Sequence, residues 1–561
     1  MRRSIPSLVP LTLLLALAAP VGAQQSQPQR TDRSREMASA DARPEADVFR
    51  STFEALSRMS LNAGSDSALW EGGINGLIES LKDPYASVFT PTESAAWQEE
   101  TTGNYSGIGL QISLLNDQVT VTAVFRKTPA NDAGIQVGDV IVGVDGHDAT
   151  SWSTDVAADS IRGPVGTKVR VRIKREGFEQ PIPFDITRAE VHVPAVSYGV
   201  MSGNVGYVIL DRVARNAAQE MNDALQELSG TRGLVIDLRH NPGGFLDESL
   251  MLADLFLKPG VTLASTSQRV PGGTQDQLTT ESYTGRWPPR VPNLPVVVLV
   301  DRYTASGAEI FAGALQDYDR ALILGERSFG KGLVQTVMPL PHGRRLRFTT
   351  GVWKTPLGRS LHRPRDMEMR PLSEELDTFP HIETPGGREL LDAGGIFPDV
   401  AIQEDTLTLA ERGLLKAAGD HEVPLGVKLA EFAFDVAKEL RDEGKTPQLD
   451  SHRFDVFVDS LIADGIPADT MNAPGVRGYL EWRTRLSIAQ RMDAIGSEAG
   501  FRMERDPVLT EAVRLLGEST TQADLFQAAR DDVAQRGFQT GEEAAMARKP
   551  EGSQAGNQPG G

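Results

Sequence analysis

The sequence predicts a multidomain α+β protein with helical ends. Three observations carry that reading. Residues 105–190 read as short apolar strands between Gly and Asp turns, and residues 191–402 alternate strand with helix. The flanks on both sides carry apolar residues at helical spacing. A chain of 561 residues is long enough for several domains at ~150 residues each.

Composition narrows the function. Lys plus Arg number 57 and Asp plus Glu 76, a net charge of −19. Such a chain repels a phosphate backbone, which argues against nucleic acid as a main partner. Hydrophobic residues make up 40%, enough for several packed cores. Cysteine is absent, which excludes disulfides, thiolate nucleophiles and Cys-based zinc or iron–sulfur sites.

The elements follow in order. Arg2-Arg3, the apolar run Leu11 to Ala19 and the small-residue site Val21-Gly22-Ala23 read as a signal peptide over 1–23. The run is too short to span a bilayer core of ~30 Å, so export is expected, to the periplasm or outside the cell. An uncleaved signal would hold the chain at the membrane. Residues 24–44 are Gln-, Ser- and Arg-rich and read as a disordered leader. Two helices are expected between Ala46 and Leu81, within a helical region 45–103, closed by the turn Asp83-Pro84-Tyr85. A strand module follows at 104–190, with strands at Leu110–Leu114, Val119–Val124, Val140–Val144, Val169–Ile173 and Ile182–Ile186 and one helix at Thr154–Ile161. The mixed core spans 191–403, with an irregular insertion at 363–391. A helical region covers 404–545, and a Gly-, Gln- and Pro-rich tail covers 546–561.

Four segments are candidates for chemistry. Tyr105-Ser106-Gly107-Ile108-Gly109-Leu110 is a Gly-x-Gly turn entering a strand, able to aim backbone N–H groups at an anion. Asp237 to Gly244 ends in Gly-Gly after a strand, which lets backbone donors approach a ligand closely. Thr304-Ala305-Ser306-Gly307 opens a helix after the apolar strand Val296–Val300. The plain reading of Ser306 is a helix N-cap. The functional reading is a nucleophile at the positive end of a helix, with the Gly307 N–H free for an oxyanion. Gly325 to Lys331 nearly matches a phosphate-binding loop. Position 332 is Gly rather than Ser or Thr, however, Val334 to Leu340 looks like strand, and an exported chain meets little nucleotide.

A nucleophilic Ser306 needs a base. The eight His are scattered and none sits in a triad context. Lys331, with Gly neighbours and apolar flanks, fits a lysine whose pKa burial lowers. Gln335 lies four residues on, ~6 Å away in a helical turn but ~13 Å away in a straight strand. For Gln335 to orient Lys331, the chain must turn after Gly332.

The Gly-x-Gly turn, the segment Ala133 to Gly146 and the turn Arg162 to Thr167 together resemble a PDZ domain. That resemblance implies that Gly107, Ile108, Gly109 and Leu110 hold a peptide carboxylate, with Leu110 and Ile112 lining the pocket for the last side chain. The motifs from Asp83-Pro84-Tyr85 through Gly325–Gln335, Thr355–Ser360 and Gly395–Val400 resemble, in order, the carboxyl-terminal processing (tail-specific) serine peptidase family. The resemblance covers roughly 46–402. It implies a crotonase-like protease core and an endopeptidase that captures apolar C-terminal tails. It implies Ser306 as nucleophile, Lys331 as general base, Gln335 as its partner, and Gly307 with Gly243 or Gly244 as oxyanion donors. It implies no metal and no cofactor. His240 stands where the family more often has Asn, and Tyr85 where His is common. The partners implied are protein or peptide substrates, not nucleic acid, with the helical termini available for a homo-oligomer or a regulatory partner. The alternative is a non-catalytic PDZ-containing binding or scaffold protein on the same fold, which predicts loss of Ser306, Lys331 or Gln335; all three are present.

Overall fold

The structure, a computed structural model, describes residues 44–62, 64–274 and 276–547. The expected signal peptide, the leader up to residue 43 and the tail from 548 lie outside the described residues. The first unit, up to Ser80, is a pair of helices, α1 (Pro44–Met59) and α2 (Asp66–Glu79). Phe53 of α1 stacks on Trp70 of α2 with ring centroids 4.0 Å apart. Ser65 caps α2 through the N–H of Ala68.

The second unit begins with β1 (Ser87–Phe89) and α3 (Pro91–Thr102). Pro91 at the first turn and the Thr90–Glu93 capping box fix the start of α3, which lies within the expected helical region 45–103 as a third helix beyond the two expected between Ala46 and Leu81. A strand module follows: β2 (Asn104–Gly107), β3 (Leu110–Leu115), β4 (Gln118–Val124), α4 (Pro129–Ala133), β5 (Val140–Val144), β6 (His147–Asp148), α5 (Thr154–Ile161), β7 (Lys168–Lys174), β8 (Ile182–Thr187) and β9 (Ala189–His192). Strands β3-β4-β5-β7-β8 form an antiparallel sheet, with β6 on β5, and β2 pairs with β9. Alternation in β7 buries Val169, Val171 and Ile173 and leaves Lys168, Arg170 and Lys174 exposed.

The core is a six-stranded sheet of β10 (Val196–Met201), β11 (Val205–Leu210), β12 (Gly233–Asp237), β15 (Val296–Val300), β16 (Leu322–Gly325) and β21 (Val400–Ala401), in that spatial order. All pairs are parallel except β10–β11. Every residue of β15 is buried, as a parallel strand covered on both faces requires. One face is covered by α6 (Ala217–Glu227), α7 (Leu246–Asp254) and α8 (Gly307–Asp317).

A second sheet joins β1, β13 (Thr262–Arg269), β14 (Leu278–Thr284), β17 (Leu333–Pro339) and β18 (Arg345–Lys354). The insertion at 363–391 is not wholly irregular: it holds the hairpin β19 (His381–Glu383) and β20 (Glu389–Leu391).

The expected C-terminal helical region divides by its packing. Helices α9 (Leu409–Asp420), α10 (Leu425–Asp442), α11 (Ser451–Ala463), α12 (Ala468–Met471) and α13 (Val476–Arg491) build cores of their own. Helices α14 (Ile495–Met503), α15 (Pro507–Glu518) and α16 (Gln522–Arg536) instead cover the second face of the core sheet, where Leu509, Leu515 and Leu516 meet Val235, Val297 and Leu299. Helix α17 (Gly541–Ala547) ends the described chain. Helices α13 and α14 are separated by a break near Asp493, which has φ 54°. Among the described residues, no helix is long and apolar enough to cross a membrane.

Candidate active site

Three loops leave the carboxyl ends of the neighbouring parallel strands β12, β15 and β16, where open α/β sheets place their ligands. They carry Asn241 to Gly244, Ser306 and Lys331. The Thr304 hydroxyl donates to the Leu238 carbonyl at 2.8 Å, and the Ala305 N–H to the Asn241 carbonyl at 2.9 Å. The Phe329 N–H donates to the Thr304 carbonyl at 2.9 Å, so the middle loop is sewn to both neighbours.

Ser306 sits at the N-terminus of α8 with φ 52° and ψ −114°. This conformation is costly for a residue with a Cβ, about 1–3 kcal/mol, and the sewn loops hold it there. A Cβ at Gly243 would lie 2.6 Å from the Gly307 nitrogen and 2.9 Å from the Ser306 Cβ, so only glycine admits this approach. The Gly243 N–H donates to Asn241 Oδ1 at 2.8 Å. Of the two glycines expected to serve an oxyanion, Gly243 is therefore already engaged. The Gly244 nitrogen lies 3.1 Å from where a Gly307 Cβ would stand, beside the start of α8.

Lys331 lies two residues before β17. Its Nζ donates to Gln335 Oε1 at 2.7 Å. The turn expected after Gly332 is absent: β17 begins at Leu333, Gly330 with φ 83° precedes Lys331, a Cβ at Gly332 would lie 2.6 Å from the His362 nitrogen, and the β17–β18 register shift between Val334 and Gln335 leaves its extra residue, Thr350, on β18. Gln335 Nε2 in turn donates to the Tyr85 carbonyl at 3.0 Å, and Lys331 Nζ lies 5.0 Å from the Tyr85 ring centre. Burial, reinforced by the nearby Arg347 guanidinium, lowers the Lys331 pKa from 10.5 to about 8, against the opposing pull of Glu309 and Asp83. Among the described residues, Ser306 Oγ makes no hydrogen bond to Lys331. Ser306 and Lys331 themselves are linked through a third residue.

That residue is Glu309, on the first turn of α8 and fully buried. Its Oε2 accepts the backbone N–H groups of both Ser306 and Lys331, each at 2.8 Å. Its Oε1 accepts the Gly330 N–H at 2.7 Å and the Ser328 hydroxyl. Burial pushes its carboxyl up in pKa, and these four donors pull it back. Sequence reasoning missed this role. Ser-x-x-Glu is a capping-box pattern and was the available signal.

The loop after β12 is braced from the C-terminal helices. Arg239 pairs with Asp237 and, at 2.7 Å, with Asp506, the N-cap of α15. Among the described residues, His240, Asp301 and Glu404 bring metal-ligand atoms within 4.8 Å of one another. Asp301 there accepts the backbone N–H groups of His240, Tyr303 and Thr304, and so serves as the brace of its own loop.

In the strand module, a groove of about 480 Å³ runs along β3 and α5. Gly107, Ile108, Gly109 and Leu110 line it, with Ile112 and Ile161 on its apolar wall. These four residues are thus brought to one groove, in a part of the fold distinct from the Ser306 loops.

Comparison with known proteins agrees with this architecture. The family profile described as peptidase family S41 matches residues 204–368, and that described as PDZ domain matches residues 106–183. The chain is 36% identical over 322 residues to a carboxyl-terminal-processing protease of Synechocystis sp., covering 56% of this chain and 73% of that protein. It is 33% identical over 319 residues to a carboxy-terminal-processing protease of Bartonella bacilliformis, covering 56% of this chain and 71% of that protein. A solved photosystem II D1 C-terminal processing protease aligns over 59% of this chain and 87% of its own, with 28% identity and a TM-score of 0.31.

Proposed function

This chain belongs to peptidase family S41, among the carboxy-terminal-processing proteases, and from that premise we propose that it is a serine endopeptidase with a Ser306–Lys331 dyad. The observation that carries the reading is the environment of Lys331. Its pKa is lowered to about 8, its Nζ is held by Gln335, and its backbone shares a carboxylate oxygen with that of Ser306. A lysine in that state is neutral often enough near neutral pH to act as a base.

In the proposed reaction, neutral Lys331 takes the Ser306 Oγ proton as Oγ attacks the scissile carbonyl carbon. The oxyanion that forms is held by the N–H groups of Gly307 and Gly244, with Gly243 supplying close approach. Lys331 then gives its proton to the departing amine. Water, deprotonated by Lys331, attacks the acyl-enzyme carbonyl; the bond to Ser306 Oγ breaks, Oγ takes the proton back from Lys331, and the new C-terminus is released. Gln335 fixes the direction of the lysine. The PDZ groove binds the apolar C-terminus of the substrate, its carboxylate on the N–H groups of the Gly107–Leu110 loop. The basic, apolar and small-residue start of the sequence supports export.

The test is incubation with a peptide library of free C-termini, with products read by mass spectrometry. Wild type cleaves, whereas Ser306→Ala and Lys331→Ala do not while keeping their circular dichroism. Lys331→Arg stays inactive, because a guanidinium does not give up its charge. Turnover by Lys331→Ala overturns the dyad.

A further inference from the structure

The carboxylate loop has a neighbour whose position matters. Tyr105 lies on β2, two residues before Gly107, with its backbone fixed opposite Val191 of β9. Its ring folds over the loop: a Cβ at Gly107 would lie 2.7 Å from the ring edge, so glycine there makes room for it. The Arg162 guanidinium lies over the ring, 5.3 Å from its centre, and is itself held by Glu99 at 2.9 Å. The phenol lies within electrostatic reach of the backbone N–H groups of Leu110 and Gly109, and Glu99, Tyr105, Gly107, Gly109, Leu110 and Arg162 line the same groove. Burial raises the phenol pKa, so the group is a neutral hydroxyl at physiological pH.

We propose that Tyr105 is a built-in occupant of the carboxylate loop, its phenol oxygen standing where a substrate's terminal carboxylate binds, and that it thereby sets the threshold for tail capture. The proposal rests on the carboxylate-loop reading given above. A neutral hydroxyl is a weaker acceptor than a carboxylate, so a free C-terminus displaces it where a weaker acceptor does not. The ring rests against Gly107 and under Arg162 when no peptide is bound. Apparent affinity falls by the fraction of molecules whose loop is open, so a loop self-occupied nine-tenths of the time binds about tenfold more weakly.

The experiment uses the full chain carrying Ser306→Ala, so that the ligand is not cleaved. A peptide with an apolar last residue, as free acid and as C-terminal amide, is titrated by calorimetry into this protein and into its Tyr105→Phe variant. Tyr105→Phe removes the oxygen alone and keeps the ring, so the fold is retained. The expected result is binding of the acid peptide about 3- to 10-fold tighter in the variant. Unchanged or weaker binding in the variant, with the parent still preferring acid to amide, overturns the occupant and leaves the carboxylate loop standing. A parent that does not distinguish acid from amide overturns both.

Discussion

Lys331 Nζ donates to Gln335 Oε1 at 2.7 Å although the two residues are four apart at the start of a strand. Their side chains span that separation along the edge of β17, where the β17–β18 register shifts between Val334 and Gln335. Gln335 is a neutral partner, which orients the amine without favouring its charge. Gln335→Glu puts a carboxylate at that distance and raises the Lys331 pKa. The ascending limb of kcat/KM against pH then moves up by at least about one unit, with lower activity at pH 7. An unshifted limb in this variant shows that Gln335 does not face the titrating base.

Glu309 holds the Ser306 loop and the Lys331 loop with one buried carboxylate. Glu309→Gln keeps the size but turns an NH₂ toward N–H donors that have no other acceptor. Two unsatisfied buried donors cost about 2–6 kcal/mol. The variant should melt at a clearly lower temperature, and kcat should fall on the order of 100-fold as the two loops lose register. Wild-type melting and turnover would show that the loops are held by other bonds.

The same buried lysine makes a stability prediction of opposite sign. The folded pKa of about 8 lies below the usual 10.5. Folding therefore disfavours the charged form at every pH below about 8, and the cost fades as pH rises from there toward 10.5. Lys331→Met removes that cost. It should be inactive yet melt at or above the wild-type temperature at pH 7, with the difference shrinking by pH 10. A destabilised Lys331→Met contradicts a penalised amine.

In the proposed reading of the groove, a terminal carboxylate meets backbone N–H groups of the Gly107–Leu110 loop. A charged acceptor there contributes about 1.5–3 kcal/mol, so amidation of a peptide should weaken binding at least about tenfold. Calorimetry with matched acid and amide peptides measures this, and equal affinities would remove the carboxylate loop.

Much of this architecture was legible in the sequence where one residue pattern carries one constraint. Val296–Val300 can only be a buried strand, and the Gly, Asp and apolar alternation of 105–190 marks the module's strands within a residue or two. Strands β13 and β14 were missed because their residues are largely polar and β14 is mostly exposed, so ladder bonds rather than an apolar face hold them. Amphipathic spacing marks 404–545 as helical. It does not say against what a helix packs, so the covering of the core sheet by α14 to α16 was hidden. At the site, Ser306, Lys331 and Gln335 stood out as local motifs. The grip of Glu309 on 328–331 and of the Tyr85 carbonyl on Gln335 joins residues far apart in the chain, and neither leaves a periodic trace.

The central claim is that Lys331, and no histidine, takes the proton from Ser306. The pH dependence of kcat/KM on a single peptide tests it most directly. The account predicts one ascending limb with its midpoint near the Lys331 pKa of about 8. A limb near ~6.5, the range of an ordinary histidine, or a limb that survives in Lys331→Ala, would contradict it.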